Sequence, residues 1–537
     1  MKLARLGSFH RTRLSFMPVL LRRLEREAWR YARTRWEIDA AGVGQAVYTV
    51  TGPDRSYSLV CFAHDLPDHM RSDRVIATAW DATFALFDGV PGEDDLARLA
   101  ANVPKQEAGR VTDRELTLSR ANRSVRLFDE VVSALADGRQ PDAGRIDEVG
   151  YLMRTTAVYG SGKFGAADRA MIRERPELRG PFQAEMLTVW LIRAFVLDLV
   201  EHLAAARGGE SAVTMEPDLR RRFGIGNSTG LGMAPFLMNH PVLLNNWMLA
   251  RETALQRVRS VETATPKEID AFRTSLAAAQ RNAETWHSGH PLQQQKIAGL
   301  RTDLAALDGR TADAGYLDGA LPWDRLWRWA ETTLGLEGQE AVVSLLFDTR
   351  PDLVDGLSDC MDADEDAAFA IDGAMQLDEL RRLLAVEYGW ANAIDPDDRE
   401  HCARFWYVSE EKLEPRLGER YGEPGAALEL PLATGRDIKA LATALDDRSP
   451  HGGGTVADFL LAEPRFRHVV RRVQISARHP YAEIRDNLVA ADMLPIDLLR
   501  CKLSFFGASH FDPRSDRWVR ICMYQDAPFP REILAPR

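Results

Sequence analysis

The chain is poor in cysteine, and its five cysteines are far apart in the sequence. They are Cys61, Cys360, Cys402, Cys501 and Cys522, and no two of them form a CxxC pair. An odd number of scattered thiols excludes both a disulfide framework and a thiolate zinc site. This cysteine usage predicts a protein of the reducing cytoplasm.

A long uncharged apolar segment is also missing from the 537 residues. The longest apolar run covers residues 186–206, and Arg193, Asp198 and Glu201 interrupt it. Because a charge near the middle of a membrane span is costly in lipid, the run predicts a buried helix of a globular core. Pro181 precedes the run, at a position where proline is tolerated in a first helical turn.

Acidic side chains outnumber basic ones overall, 79 to 68, but the balance is reversed at one end of the chain. The net charge of −11 argues against binding of nucleic acid through the whole surface, so no nucleic-acid partner is expected. Residues 1–36, in contrast, hold ten basic side chains against two glutamates. This segment is either a helix that docks on the acidic remainder of the chain, a targeting segment, or a helix for peripheral membrane contact. The apolar face for such membrane contact would be Leu20, Leu21, Leu24, Trp29 and Trp36.

Patterns typical of β-strands are few. Residues 46–50 and 56–62 are rich in β-branched and aromatic side chains, and the Gly-Pro-Asp-Arg segment between them predicts a hairpin turn. A third strand is expected within residues 75–86. Two late strands are predicted at 403–408 and 518–523.

Helical patterns dominate the rest of the chain, with a capped helix start at Thr265 and Glu268. The predicted helices are 112–131, 266–286, 291–308, 322–333, 336–347, 374–389, 434–446, 455–475 and 481–506. We therefore predict a mainly α protein with a small antiparallel β-sheet, that is, an α+β fold with a large helical core. Early and late strands are expected to share that sheet, because neither set has enough strands alone.

The same patterns predict three units along the chain. Residues 1–110 hold the basic helix and the hairpin, and residues 111–396 form a helical domain with two glycine-rich loops. Residues 397–537 form an α+β region that packs on the N-terminal strands.

Nucleotide-binding fingerprints are absent, although glycine is clustered in two places. In the first cluster, residues 224–235, Thr229 stands where the dinucleotide fingerprint has glycine. The charged residues 218–223 also do not suit the buried strand that precedes such a turn. The cluster instead predicts a loop before a helix, whose free N–H groups suit an anion, or a tight turn between packed helices. Its substrate-binding candidates are Gly226, Asn227, Ser228 and Thr229.

The second glycine cluster, residues 159–165, lacks the phosphate loop of ATP- and GTP-binding proteins. Ala157 and Phe164 occupy the positions of its first glycine and of its Ser or Thr. Lys163, flanked by glycines, is a point charge suited to an anionic substrate or, if desolvated, to proton transfer. Gly162 and Tyr159 complete this set, and the alternative is a surface turn with a solvated lysine. We expect both clusters to line one pocket.

Groups for proton transfer are concentrated late in the chain. The segment 478–487 combines arginines, which suit a carboxylate, with acidic side chains that can relay protons. It can equally be a salt-bridge network that ties helices together. The candidates for catalysis here and elsewhere are His240, Glu483, Asp486 and His510, and those for substrate binding are Arg478 and Arg485.

These patterns predict an enzyme that acts on a small anionic metabolite, either a carboxylate or a phosphate. Because nucleotide and thiolate-metal signatures are missing, lyase or transferase chemistry is preferred. The alternatives are a non-catalytic interaction protein that uses its basic N-terminal helix and a redox enzyme with an unconventional cofactor site. The sequence identifies no cofactor, no metal and no oligomeric state, since residues 64–69 offer only part of a metal-ligand set.

Overall fold

Ten strands form one mixed sheet in the computed structural model. The residues that the structure describes are 3–71, 79–102, 112–159, 172, 174–178, 180, 182–227, 241–313, 315–361, 370–392, 408–409, 412–413, 433–448, 453–482, 495–508, 510–515 and 518–536. The strands are β1 (Arg30–Ile38), β2 (Gly44–Thr51), β3 (Ser56–Ala63), β4 (Ala82–Asp88), β5 (Glu115–Arg123), β6 (Tyr151–Tyr159), β7 (Gly224–Asn227), β8 (Val408–Ser409), β9 (Lys412–Leu413), β10 (His510–Ser515), β11 (Trp518–Met523) and β12 (Ala535–Pro536). Across the sheet they are ordered β10-β11-β7-β6-β5-β4-β3-β2-β1-β12, while β8 and β9 form a separate short pair.

The sheet is mixed because two of its strand pairs are parallel. β6 lies parallel to β7, and β1 lies parallel to β12. The remaining neighbours are antiparallel, and β1 to β6 follow one another in chain order. The predicted hairpin is confirmed as β2 and β3, whose turn is closed by a hydrogen bond from the Gly52 N–H to the Arg55 carbonyl.

The prediction of a mainly α protein with a small antiparallel sheet is wrong. The observed sheet has nine strands of four or more residues, and a tenth of two. β4 shows why the sequence pattern did not predict all of these strands. Phe84 and Leu86 belong to the main core on one face, whereas Ala85 and Phe87 belong to a cluster on the other. A strand that is buried on both faces has no alternation of apolar and polar residues to mark it.

Early and late strands share the sheet, as the sequence predicted for residues 518–523. β11 covers these residues and lies in the same sheet as β2 and β3. The other late strand differs from the prediction, because Val408–Ser409 pairs only with Lys412–Leu413 in the separate short pair. Residues 403–407 lie outside the described residues.

The helices are mostly where the sequence placed them. They are α1 (Phe16–Arg26), α2 (Glu93–Asn102), α3 (Phe128–Ala136), α4 (Ala143–Val149), α5 (Gln183–Gly208), α6 (Pro217–Arg222), α7 (Pro241–Arg259), α8 (Pro266–Thr285), α9 (Pro291–Thr311), α10 (Pro322–Thr333), α11 (Leu336–Thr349), α12 (Pro351–Val354), α13 (Leu377–Glu387), α14 (Gly389–Asn392), α15 (Ala433–Arg448), α16 (Val456–Ala462), α17 (Arg467–Arg478), α18 (Pro495–Phe506) and α19 (Pro530–Ile533). The capped start of α8 is confirmed, with Thr265 and Glu268 forming both hydrogen bonds of a capping box.

Two helix predictions need correction. Residues 112–131 do not form one helix, since β5 ends at Arg123 and α3 begins at Phe128. The predicted helix 455–475 is divided into α16 and α17 by a short 3₁₀ helix that begins at Pro464. Proline lacks an N–H and clashes with the preceding turn, so it ends the first helix there.

The apolar run identified in the sequence is α5, which packs on one face of the sheet. Its Phe195 contacts the rings of Tyr48 in β2 and Phe84 in β4 edge-on. α2 covers part of the opposite face, where Leu96 and Leu99 join the cluster of β4 and β5. Among the described residues, no helix is long and apolar enough to cross a membrane.

The basic N-terminal segment docks on the body of the chain. The apolar face of α1, including Leu20 and Leu24, is buried in the main core. Arg13 forms an ion pair with Asp355 at 2.8 Å. The segment is helical only in part, because residues 30–38 form β1.

A second apolar core lies among the later helices. α13, α15, α16 and α17 contribute buried side chains that form a cluster separate from the main core. Its members include Leu380, Leu441, Phe459 and Val470. The division of the chain at residues 110 and 396 stays a prediction.

Arg193, a buried charge within α5, ties this helix to segments that adjoin the sheet. Arg193 is 1% exposed, and its guanidinium donates hydrogen bonds to the carbonyls of Phe223, Ala527 and Arg221 at 2.6, 2.7 and 3.1 Å. These carbonyls belong to the segments just before β7 and just after β11. Burial lowers the pKa of Arg193 to about 9, which still leaves it charged at neutral pH.

We expect the Arg193→Met substitution to lower the free energy of unfolding by about 3 kcal/mol, because the carbonyls of Phe223, Ala527 and Arg221 would each lose a hydrogen bond from a charged donor. Chemical denaturation at pH 7 measures the loss. The matched control is Arg207→Met on the same helix, whose exposed ion pair with Asp129 predicts a change below about 1 kcal/mol. Equal effects of the two substitutions would contradict a structural role for the buried guanidinium.

Candidate functional site

The parallel pair β6 and β7, with α5 between them in the chain, forms a β-α-β unit. In the pairing register Tyr151 lies beside Gly224, and Arg154 lies beside Gly226. The two strands therefore point their carboxyl ends the same way. In open α/β sheets, ligands bind outside the carboxyl ends of parallel strands, next to the N-termini of the connecting helices.

The two glycine clusters follow these strand ends in the chain. β6 ends at Tyr159, and the second cluster continues from it. β7 ends at Asn227, and the rest of the first cluster continues from there. Residues 160–171 and 228–240 lie outside the described residues, so their expected shared pocket stays a prediction.

The interpretation of the first cluster as a loop from residue 224 onward is wrong, because its first four residues form β7. Close packing explains the glycines in this strand. A Cβ atom on Gly224 would lie 2.3 Å from the Met523 carbonyl oxygen, and one on Gly226 would lie 2.6 Å from the Tyr151 ring. Both distances are too short for any side chain, so the neighbouring strands β6 and β11 require glycine here.

Most of the site residues predicted from the sequence fall outside the described residues. These are Gly162, Lys163, Ser228, Thr229, His240, Glu483, Arg485 and Asp486. For Tyr159, Asn227 and His510 the structure describes the backbone, in β6, β7 and β10, but not the side chain. Gly226 lies within the sheet, and Arg478 ends α17, 3.9 Å from Asp372.

A cleft opens at the N-terminus of α5, the helix that connects the two parallel strands. Its volume is about 530 Å³, within the range of small-molecule sites. The lining combines α1, the start of α5 and a 3₁₀ helix, Asp355–Met361. The lining residues are Val19, Arg22, Arg23, Glu25, Arg26, Gly180, Gln183, Asp355, Ser358 and Asp359.

Gln183, the first residue of α5, has an unpaired amide in this lining. It is 1% exposed, and within the part of the chain that the structure describes neither its amide nitrogen nor its amide oxygen has a hydrogen-bond partner. A buried amide without partners destabilises the fold by roughly 1–3 kcal/mol. The Gln183 side chain fits beside residue 180 because that residue is glycine. A Cβ atom on Gly180 would lie 3.0–3.1 Å from atoms of the Gln183 side chain.

The start of α5 also offers positive charge to the cleft. Phe182 precedes the helix in a left-handed conformation, and none of the described side chains caps the helix. The rings of Phe16 and Phe506 pack against Phe182 and hold this end in place. A 26-residue helix without a capping side chain presents N–H groups and a partial positive charge at its N-terminus.

Arg22 and Asp355 form the charged centre of the cleft. The Arg22 guanidinium lies 3.3 Å from Asp355 and donates a hydrogen bond to the Arg13 carbonyl at 2.6 Å. Burial lowers the pKa of Arg22 to about 10, although Asp355 opposes this effect. Arg26 and Asp359, in contrast, are exposed, and the described residues offer neither an ion pair.

Glu185, in the first turn of α5, is a titratable group close to the cleft in sequence. Burial raises the pKa of its carboxyl to about 7. A carboxyl with such a pKa can give or take a proton at neutral pH. It is not among the lining residues of the cleft, and it lies two positions along the helix from Gln183.

The sequence did not mark the residues of the cleft. The arginines were noted only as part of a basic segment, and nothing distinguishes Gln183 from any other polar residue at a helix start. Pro181 was the one useful signal, since it placed the beginning of this helix within two residues.

The histidine-containing segment 64–69 has structural contacts instead of metal ligands around it. The His64 Nε2 atom lies 3.1 Å from the Thr83 hydroxyl, within hydrogen-bond distance. Within the described part of the chain, no three His, Cys, Asp or Glu side chains are grouped closely enough to hold a metal ion.

Comparisons of the chain with protein-family models, with curated proteins and with solved structures found no match. A proposal for the function of this protein therefore rests on the chemistry of the cleft and of the residues around it.

We expect the Glu185→Gln substitution to stabilise the protein at pH 8 by on the order of 1–2 kcal/mol. The folded-state pKa of about 7 exceeds that of the unfolded chain, so ionisation of Glu185 destabilises the fold above pH 7. This penalty fades as the pH falls from 7 and disappears below about 4.5. Urea denaturation at pH 8 and at pH 4.5 measures the difference, with the exposed Glu210→Gln as control. A gain of the same size at both pH values would contradict the raised pKa.

Proposed function

We propose that this chain is an enzyme that acts on a small anionic metabolite, a carboxylate or a phosphate, at the start of α5. The observation that carries the proposal is the buried amide of Gln183, which lines a cleft at a helix N-terminus and has no partner among the residues that the structure describes. A buried polar group of this kind gains hydrogen bonds when a ligand arrives.

The surroundings of Gln183 support an anionic ligand group. Arg22 and Arg26 from α1 line the same cleft, and the uncapped N-terminus of α5 adds to their positive charge. Guanidinium groups bind carboxylates and phosphates through strong charge-assisted hydrogen bonds. The cleft also lies at the N-terminus of the helix that connects the parallel strands β6 and β7, and the N-terminus of such a connecting helix is a common place for an anion.

Lyase or transferase chemistry by proton transfer is the proposed reaction class. Such chemistry requires a group that titrates near neutral pH, and Glu185 is the described group of this kind nearest to Gln183 in the chain. Lys163, which follows β6, is proposed to hold the anion or to transfer a proton. The other proposed catalytic residues are His240, Glu483, Asp486 and His510.

The interaction-protein alternative has weaker support. Its basic helix would have to present the apolar face of α1, which is buried in the main core. A cytoplasmic location remains part of the proposal, and the four described cysteines, all of them free thiols, support it.

The Gln183→Met substitution tests the observation that carries the proposal. Methionine has a similar length and needs no hydrogen bonds, so we expect the ligand-free variant to be more stable by about 1–2 kcal/mol. Calorimetric titration with phosphate, acetate and succinate should show binding to the original protein and a loss of at least fivefold in the variant. A lower stability, with unchanged binding, would mean that the amide already has its partners and takes no part in the site.

The Lys163→Ala substitution tests the second glycine cluster independently. Losing a desolvated charge contact with an anion should weaken binding by on the order of 2–5 kcal/mol. An exposed lysine between glycines should change the free energy of unfolding by only about 0.5 kcal/mol. Unchanged anion affinity would remove Lys163 from the site, and a large fall in melting temperature would assign it a structural role.

A further inference from the structure

The lining of the cleft carries both signs of charge in equal number. Its cationic side chains are Arg22, Arg23 and Arg26, and its anionic side chains are Glu25, Asp355 and Asp359. The formal charge of the lining is therefore zero. A ligand with only negative charge would meet three carboxylates in the same cleft, and one with only positive charge would meet three arginines.

Part of this charge is already engaged within the protein. Asp355 accepts contacts from Arg13 at 2.8 Å and from Arg22 at 3.3 Å. Arg23 is engaged as well, since it contacts Glu27 at 3.2 Å and donates to the Glu177 carbonyl. The contacts of Asp355 join α1 and the residues before it to the 3₁₀ helix, whereas those of Arg23 stay outside the 3₁₀ helix.

Three lining charges have no ion pair among the described residues, namely the cation Arg26 and the carboxylates Glu25 and Asp359. Arg26 on α1 and Asp359 on the 3₁₀ helix both line the cleft and are exposed. Neither takes part in an ion pair with any residue that the structure describes. The two residues belong to different elements, so a ligand between them would meet a positive group from one element and a negative group from the other.

We infer that the cleft binds a small zwitterion of the amino-acid class, with its carboxylate toward Arg26 and its ammonium toward Asp359. The inference rests on the proposed function, because it narrows the anionic metabolite to one that also carries a cationic group. Gln183 fits this ligand class well. Its amide offers a donor for a carboxylate and an acceptor for an ammonium, and neither has a hydrogen-bond partner among the described residues.

The experiment compares ligands that differ only in their charged groups. A thermal-shift screen with the twenty protein amino acids is followed by calorimetric titration with four compounds. Two are zwitterions, L-2-aminobutyrate and 4-aminobutyrate, which differ in the spacing of their charges. Butyrate is the matched compound without the ammonium, and propylamine is the matched compound without the carboxylate. Phosphate is included as an anion of a different kind.

We expect at least one amino acid to raise the melting temperature, and one of the two aminobutyrates to bind at least tenfold tighter than butyrate and propylamine. Asp359→Asn should abolish the preference over butyrate, and Arg26→Gln should abolish the preference over propylamine. The matched controls, Glu210→Gln and Arg281→Gln, remove exposed charges elsewhere and should leave both preferences unchanged.

The possible failures are distinguishable. Butyrate or phosphate that binds as tightly as the zwitterions, with no effect of Asp359→Asn, would overturn the zwitterion and leave the anionic metabolite in place. Propylamine that binds as tightly as the zwitterions would overturn both. Binding by none of the amino acids, by none of the four compounds and not by phosphate would also overturn both.

Discussion

The buried guanidinium of Arg193 fixes the geometry on which the cleft depends. It is a fully buried charge near the centre of a mostly apolar helix, and three main-chain carbonyls compensate it. These carbonyls flank β7 and β11, so the helix cannot slide or turn on the sheet without breaking charge-assisted hydrogen bonds. These hydrogen bonds fix the position of α5 on the sheet, and the cleft lies at the N-terminus of this helix.

Segments far apart in the sequence build both the sheet and the cleft. β11 pairs with β7, and β12 returns to β1, so the two ends of the chain belong to one sheet. The cleft likewise joins residues 19–26, 180–183 and 355–359. Its lining therefore forms only after these long-range contacts are in place.

Local signals in the sequence were enough to predict most of the helices, but they could not predict the sheet or the cleft. The capping box at Thr265 and the prolines that begin α9 and α10 act within one turn, so periodicity and caps located these helices. β4 is buried on both faces, and the glycines of β7 look like a loop until the neighbouring strands are known. Gln183 is distinguished only by the partners that it lacks, which is a property of the fold and not of the sequence.

The arginines of β1 have a consequence for the solubility of the folded chain. β12 pairs only with Arg30 and Tyr31, and beyond that point no described strand covers this border of the sheet. Open sheet borders invite pairing with other molecules and so lead to fibres or aggregates. Arg33, Arg35 and Glu37 lie along this border, and a second strand could approach only by burying their charges. The basic residues of β1, which in the sequence suggest a binding surface, thus oppose the pairing of this edge strand with a second copy of the chain.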